Sequence, residues 1–259
     1  MSSGLLDALG LGADDLLRRD LAPVEVAVLD SGIDATHPDL AGRVAAAYRI
    51  ELQDDSPRAV EAPVGENTDD FGHGTGVASI IARLAPNARL VDVRVLDASS
   101  LGRGIVLLEG LRQAIRRRSR VINMSLAASS EFRPQLLALC EEAYRANQIV
   151  VAARRNMPLS DNGFPAENSS CIGVDRENLP SPYRVLYRRD CPIEYVAHGD
   201  DVVVAEPGGG HAVQTGTSFA TPAASALCAV VLGAFPDLVP FEVKTVLKAM
   251  ADRDSAGTG

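Results

Sequence analysis

The chain has 259 residues, of which 46% are hydrophobic and only 4% aromatic, with no tryptophan. That length suits one large α/β domain or two small ones, with a core built from Ala, Val, Leu and Ile. A formal net charge of −9 argues against a general binder of nucleic acid or of anionic membranes.

Residues 1–22 carry Leu5, Leu6, Leu9, Leu11, Leu16 and Leu17, interrupted by Asp7, Asp14 and Asp15. The segment lacks a basic start, a continuous apolar middle and a cleavage site, so it does not read as a secretory signal. It reads as an amphipathic helix appended to a domain over 23–252. No apolar run reaches the length expected of a membrane span. A strand over 24–29 ends at Asp30. The polar stretch 54–67 reads as an exposed loop, and Asp54-Asp55 and Asp69-Asp70 as solvated carboxylate pairs. A helix over 74–84 starts beside His73. A strand is expected over 90–96 and a helix over 105–117. The five arginines between 112 and 120 then fit a solvated helix end, where cations face the negative pole. Further strands are predicted over 121–124, 149–153, 171–174 and 202–205. Helices are predicted over 134–147, where Pro134 suits a first turn, and over 218–235 and 241–250. Residues 253–259 read as a flexible tail. Strands alternating with helices imply a mainly parallel central sheet with helices on both faces, an α/β fold.

The four cysteines, at 140, 171, 191 and 228, show neither zinc spacing nor a redox pair. They read as reduced, mostly buried thiols; a Cys171–Cys191 bridge is the alternative. Together with the missing signal, they point to the cytoplasm.

Three segments carry chemistry. Gly216-Thr217-Ser218-Phe219-Ala220-Thr221-Pro222 places Ser218 at the start of a buried helix, near the positive end of its dipole. A serine nucleophile needs a base and a group to orient that base. Asp70-Phe71-Gly72-His73-Gly74-Thr75-Gly76 offers His73. Val28-Leu29-Asp30-Ser31-Gly32 offers Asp30. Taken singly, Ser218 reads as a helix cap, Asp30 as a turn residue and His73 as a loop histidine. Taken together, in the order Asp, His, Ser, they read as a catalytic constellation.

These blocks resemble the subtilisin-like serine peptidases over roughly residues 24–250, and that family's chain order is the same. The resemblance implies that His73 takes the Ser218 proton while Asp30 holds the ring. It also implies an oxyanion-hole donor in Asn156, after Val150-Val151-Ala152-Ala153, although Arg155 stands where relatives place glycine. The segment Asn123-Met124-Ser125-Leu126-Ala127-Ala128 resembles the family's substrate-binding edge. By the same resemblance Ser125, Leu126, Ala127, Ala153, Arg154 and Arg155 flank the substrate. Ala127 and Ala128, where relatives commonly have glycine, narrow that cleft.

The implied activity is a serine endopeptidase acting on extended peptide or protein, in the style of an intracellular processing protease. No cofactor and no metal are expected. The interval between Ile81 and Leu90 is too short for the calcium loop of many relatives. A non-catalytic peptide-binding module and a transpeptidase or macrocyclase are the alternatives.

Overall fold

The computed structural model describes residues 3–97, 103–156 and 163–256. Among them, nine strands form one sheet in the order β3-β2-β4-β1-β5-β6-β7-β9-β8. The strands are β1 (Val24–Asp30), β2 (Val44–Gln53), β3 (Ser56–Ala62), β4 (Ala88–Arg94), β5 (Val121–Met124), β6 (Ile149–Ala153), β7 (Ile172–Glu177), β8 (Val185–Tyr187) and β9 (Tyr195–His198). Pairing is parallel from β2 across to β9, and the edge strands β3 and β8 run antiparallel. This is the α/β architecture the alternating elements predict.

Side chains of the central strands alternate between two layers, as the two-residue period of a strand requires. Val24, Val26 and Val28 of β1 face one core, together with Ile149 and Val151 of β6. Ala27, Leu29, Val150 and Ala152 face the other. The first core is covered by α3 (His73–Leu84), α6 (Thr217–Ala234) and α7 (Pro240–Ala256). The second is covered by α4 (Gly104–Arg117) and α5 (Arg133–Arg145). Nearly every α6 position is apolar or small, so the helix can be buried on all sides. By length and composition α6 could cross a membrane, contrary to the expectation of no such run. It is the core helix of the domain, with 89% of its apolar window buried.

Several local expectations need correction. The polar stretch after residue 53 is not a loop throughout: Asp54 and Asp55, with φ of 49° and 57°, form the turn of a β2–β3 hairpin. Adjacent left-handed residues of this kind suit a two-residue hairpin turn. The strand expected over 202–205 is outside the parallel sheet. It is β10 (Val202–Glu206), paired antiparallel with β11 (Gly210–Gln214). The arginine run is not all solvated: Arg117 pairs with Glu25 at 3.0 Å, and Arg120 donates to the Pro236 and Leu238 carbonyls. Helix α7 continues to Ala256, past the expected start of the tail; residues 257–259 lie outside the described residues. All four cysteines are free, and Cys171 lies beside Cys140 rather than in a bridge to Cys191.

Residues Ala85, Pro86 and Asn87 connect α3 to β4. This turn is a structural tie: the Asn87 side chain donates to the carbonyls of Ala22 (3.0 Å) and Ala229 (2.9 Å).

The N-terminal segment folds as two short helices, α1 (Ser3–Leu9) and α2 (Ala13–Leu17), broken at Gly10 and Gly12. Leu5, Ala8 and Leu16 are buried, and Arg253 of α7 donates to the Leu9 and Leu11 carbonyls. The chain then passes the C-terminal end of α6, where Ala22 N–H donates to Gly233 O at 2.9 Å and Arg19 stacks on Phe235. Ser218 is at the other end of that helix, roughly 25 Å away at 1.5 Å per residue. The segment therefore does not occupy a cleft at Ser218. Deleting residues 1–20 is expected to lower the melting temperature by several degrees, because the burial of Leu5 and Leu16 against the domain is lost. Reaction rates below both transitions should not change. Thermal denaturation and rate measurements on the truncated chain check this.

Candidate active site

Asp30 closes β1, and its carboxylate is fully buried at the C-terminal edge of the sheet. That edge is where open α/β sheets carry their sites. Oδ1 accepts from Ser31 N–H at 2.8 Å, from Ser31 Oγ at 3.3 Å and from His73 Nδ1 at 2.7 Å. The third bond fixes the tautomer: Nδ1 carries the proton, and Nε2 keeps a lone pair with which it can act as a base. His73 opens α3. Gly74 permits the approach of that helix to β1, because a Cβ there would lie 2.1 Å from Gly32 O.

Sequence reasoning missed the residue that holds this turn. Asp69, read as solvated, is 5% exposed. Its carboxylate accepts from Ser31 Oγ (2.8 Å), Gly72 N–H (2.8 Å), Thr75 N–H (2.8 Å) and Thr75 Oγ1 (2.6 Å). Ser31 Oγ in turn accepts from Gly74 N–H at 3.0 Å, so Asp30, Asp69 and His73 share one network. Asp70 is the solvated member of the pair, held loosely by Arg94 at 3.3 Å. Asp92 on β4 is also buried. Burial pushes its carboxyl well above the usual range, and Asp69 adds to this against the Asn67 side chain and the Ile33 backbone.

Burial disfavours a charged His73 ring. The charge and hydrogen bond of Asp30 and the charge of Asp69 outweigh it and hold the pKa above the ordinary histidine value. A base must be neutral to accept a proton, so a raised pKa moves the loss of activity upward in pH. The rate constant kcat/KM is expected to fall on the acid side with a midpoint above about 6.5, the unperturbed histidine value. Asp30→Asn should move that midpoint down. A pH–rate profile of both proteins measures it, and an unchanged midpoint in the variant would contradict the assignment.

Ser218 stands in the first turn of α6, where N–H groups have no intrahelical acceptor. Pro222, four residues on, has no N–H to give the Ser218 carbonyl. Ser125 Oγ supplies it instead, at 2.8 Å. The relation is reciprocal: Ser218 Oγ donates to Ser125 O at 2.9 Å. Behind them Asn123 Nδ2 donates to Ser125 Oγ at 3.0 Å, and Ser225 Oγ donates to Asn123 Oδ1 at 2.8 Å. No hydrogen bond joins Ser218 to His73 among the described residues. To donate to Nε2, the Ser218 hydroxyl would have to leave Ser125 O.

Asn156 follows β6. Its Oδ1 accepts from Thr217 N–H and Thr217 Oγ1, both at 3.0 Å. With the oxygen held, Nδ2 is the donor left to face a reacting carbonyl. The two arginines before it part company. Arg154 turns to Asp175 on β7 at 2.9 Å, beside Arg188 at 2.6 Å. The sequence had set it at the substrate edge, and in the structure it also meets a carboxylate of the adjoining strand. Arg155 stays, and its Nη2 donates to Ala128 O at 2.9 Å. Ser125 is thus bonded to Ser218, Asn156 to the neighbouring Thr217, and Arg155 to Ala128.

The profile of the subtilase family, peptidase S8, matches residues 22–259. Subtilisin E of Bacillus subtilis (strain 168) is 31% identical over 241 residues, covering 88% of this chain and 60% of that protein. The chain thus spans about 60% of the length of the first curated relatives it matches. The intracellular serine protease of Paenibacillus polymyxa is 30% identical over 213 residues, covering 77% of this chain and 63% of that protein. Among solved structures, S41 psychrophilic protease superposes with a TM-score of 0.73 at 27% identity, over 88% of this chain and 82% of the other. Sphericase superposes with a TM-score of 0.71 at 25% identity over the same shares. A profile match along nearly the whole chain, on a fold these structures share, leads to one conclusion: the chain belongs to the subtilase family.

Proposed function

We propose that this chain is a serine endopeptidase that hydrolyses extended peptides through Asp30, His73 and Ser218. The observation that carries the reading is the 2.7 Å hydrogen bond between Asp30 and His73 Nδ1, which leaves Nε2 as the base for a serine at the head of α6. Ser218 Oγ attacks the carbonyl carbon and passes its proton to Nε2. Asp30 stabilises the imidazolium that forms. Negative charge gathers on the carbonyl oxygen, which Asn156 Nδ2 and the Ser218 N–H receive. The imidazolium then protonates the departing amine, and water repeats the sequence on the acyl-enzyme. Extended substrate would pair its backbone with the 125–128 edge, in the manner of strand addition.

The cytoplasm is the proposed compartment and processing of particular proteins the proposed task. An intracellular relative and four free cysteines support the compartment. A fluorophosphonate probe tests the reading. Labelling at Ser218 that disappears in Ser218→Ala, with peptide hydrolysis lost in parallel, is the expected result. One observation favours a second reading, a peptide-binding module: Ser218 Oγ is bonded to Ser125 O rather than to His73. An unlabelled Ser218 in protein that still binds peptides would decide for that module.

A further inference from the structure

We infer that Arg155 closes the slot beside Ser218 and selects short side chains at the residue that supplies the scissile carbonyl. This rests on the endopeptidase reading above. A carbonyl lodged between Ser218 and Asn156 sends its own side chain into the space between the two flanking segments. One wall is the 125–128 segment, since Ser125 O is 2.9 Å from Ser218 Oγ. The other is the end of β6 through Asn156, tied to the Thr217 N–H at 3.0 Å. Arg155 belongs to the second wall, and its guanidinium reaches the first, at Ala128 O. The side chain therefore spans the slot.

The floor confirms how little room is left. Gly163 lies beneath both walls with φ of +91°. A Cβ built on it would be 2.7 Å from Ala127 Cβ and 3.2 Å from Arg155 Cβ. At that depth the two walls stand too close for a single methyl group between them. Ala128 N–H donates to Phe164 O at 2.8 Å, which ties the first wall to the floor. The floor is therefore fixed, and a long substrate side chain can enter only by displacing the guanidinium from Ala128 O. Glycine, alanine and serine fit above it. Leucine, phenylalanine and lysine are all rejected for length.

Peptides that differ only at this residue test the inference. Wild-type kcat/KM should favour Ala over Phe by about tenfold or more, the scale on which a pocket discriminates single methylene groups. Arg155→Gly should reduce that ratio by a similar factor, chiefly through gain on Phe. Efficient wild-type cleavage after Phe or Leu, or an unchanged profile in Arg155→Gly, overturns it. Arg155→Ala serves if the glycine variant does not fold. Binding of the same peptides to Ser218→Ala protein, by calorimetry, reads the slot without chemistry. There the Ala peptide should bind more tightly than the Phe peptide, and the reverse order overturns the inference. Failure of the endopeptidase reading appears elsewhere, as absent fluorophosphonate labelling.

Discussion

Ser218→Ala is expected to remove nearly all peptide hydrolysis while leaving the melting temperature close to that of the wild type. Subtilisin itself sets the scale: roughly 10⁶ in kcat for its serine or histidine and roughly 10⁴ for its aspartate. The fold should tolerate the change because the Ser218 hydroxyl makes one bond, to Ser125 O. The neighbouring bond, from Ser125 Oγ to Ser218 O, involves only backbone of residue 218. His73→Ala should cost a similar factor. The double variant should lose little more than either single one, because a base without its nucleophile has nothing to activate. Single-turnover rates on one peptide, with circular dichroism for the fold, measure this. Undiminished hydrolysis by Ser218→Ala would end the triad assignment.

Asn156→Leu should lower kcat by about 10²–10³, the factor known for the oxyanion asparagine of subtilisin, with little change in KM. The amide works in the transition state, when charge has moved onto the oxygen, and contributes less to the bound substrate. Leucine also takes the acceptor away from the Thr217 N–H and Oγ1. Thr217→Val removes only the hydroxyl's share of those bonds: it keeps Asn156 Nδ2 and the Thr217 N–H bond, and should cost far less rate. An Asn156→Leu protein with wild-type kcat would show that the donor lies elsewhere.

The sequence made the sheet and the long helices legible because their periods and punctuation are local. Val24 to Asp30 alternates between two buried layers, and α6 is apolar throughout. The positions around Asp30, His73 and Ser218 stood out because each sits among glycines and small residues. Less was legible wherever the outcome depended on distant chain. Asp69 and Asp70 are adjacent acids, and nothing local tells which one Ser31 and Thr75 will bury. Arg154 and Arg155 are adjacent arginines at a strand end, where successive side chains leave on opposite sides. One meets Asp175, 21 residues on, and the other meets Ala128. The β2–β3 hairpin hides in polar composition because an edge pair needs little apolar surface on its outer face. Cys140 and Cys171 fell together by tertiary packing, which spacing does not encode.

Helix α6 packs against β1, β5, β6, β7 and β9, and its first turn carries Ser218. During synthesis His73 leaves the ribosome 145 residues ahead of Ser218 (218 minus 73), a delay of roughly 7–30 s at translation speeds. Through that interval Asp30 and His73 have been made and Ser218 has not, and the sheet face that α3, α6 and α7 share has only α3 to cover it. The uncovered face makes the unfinished chain a client for chaperones. Assembly order thus makes Ser218 the last of the three to join, set by where α6 falls along the chain.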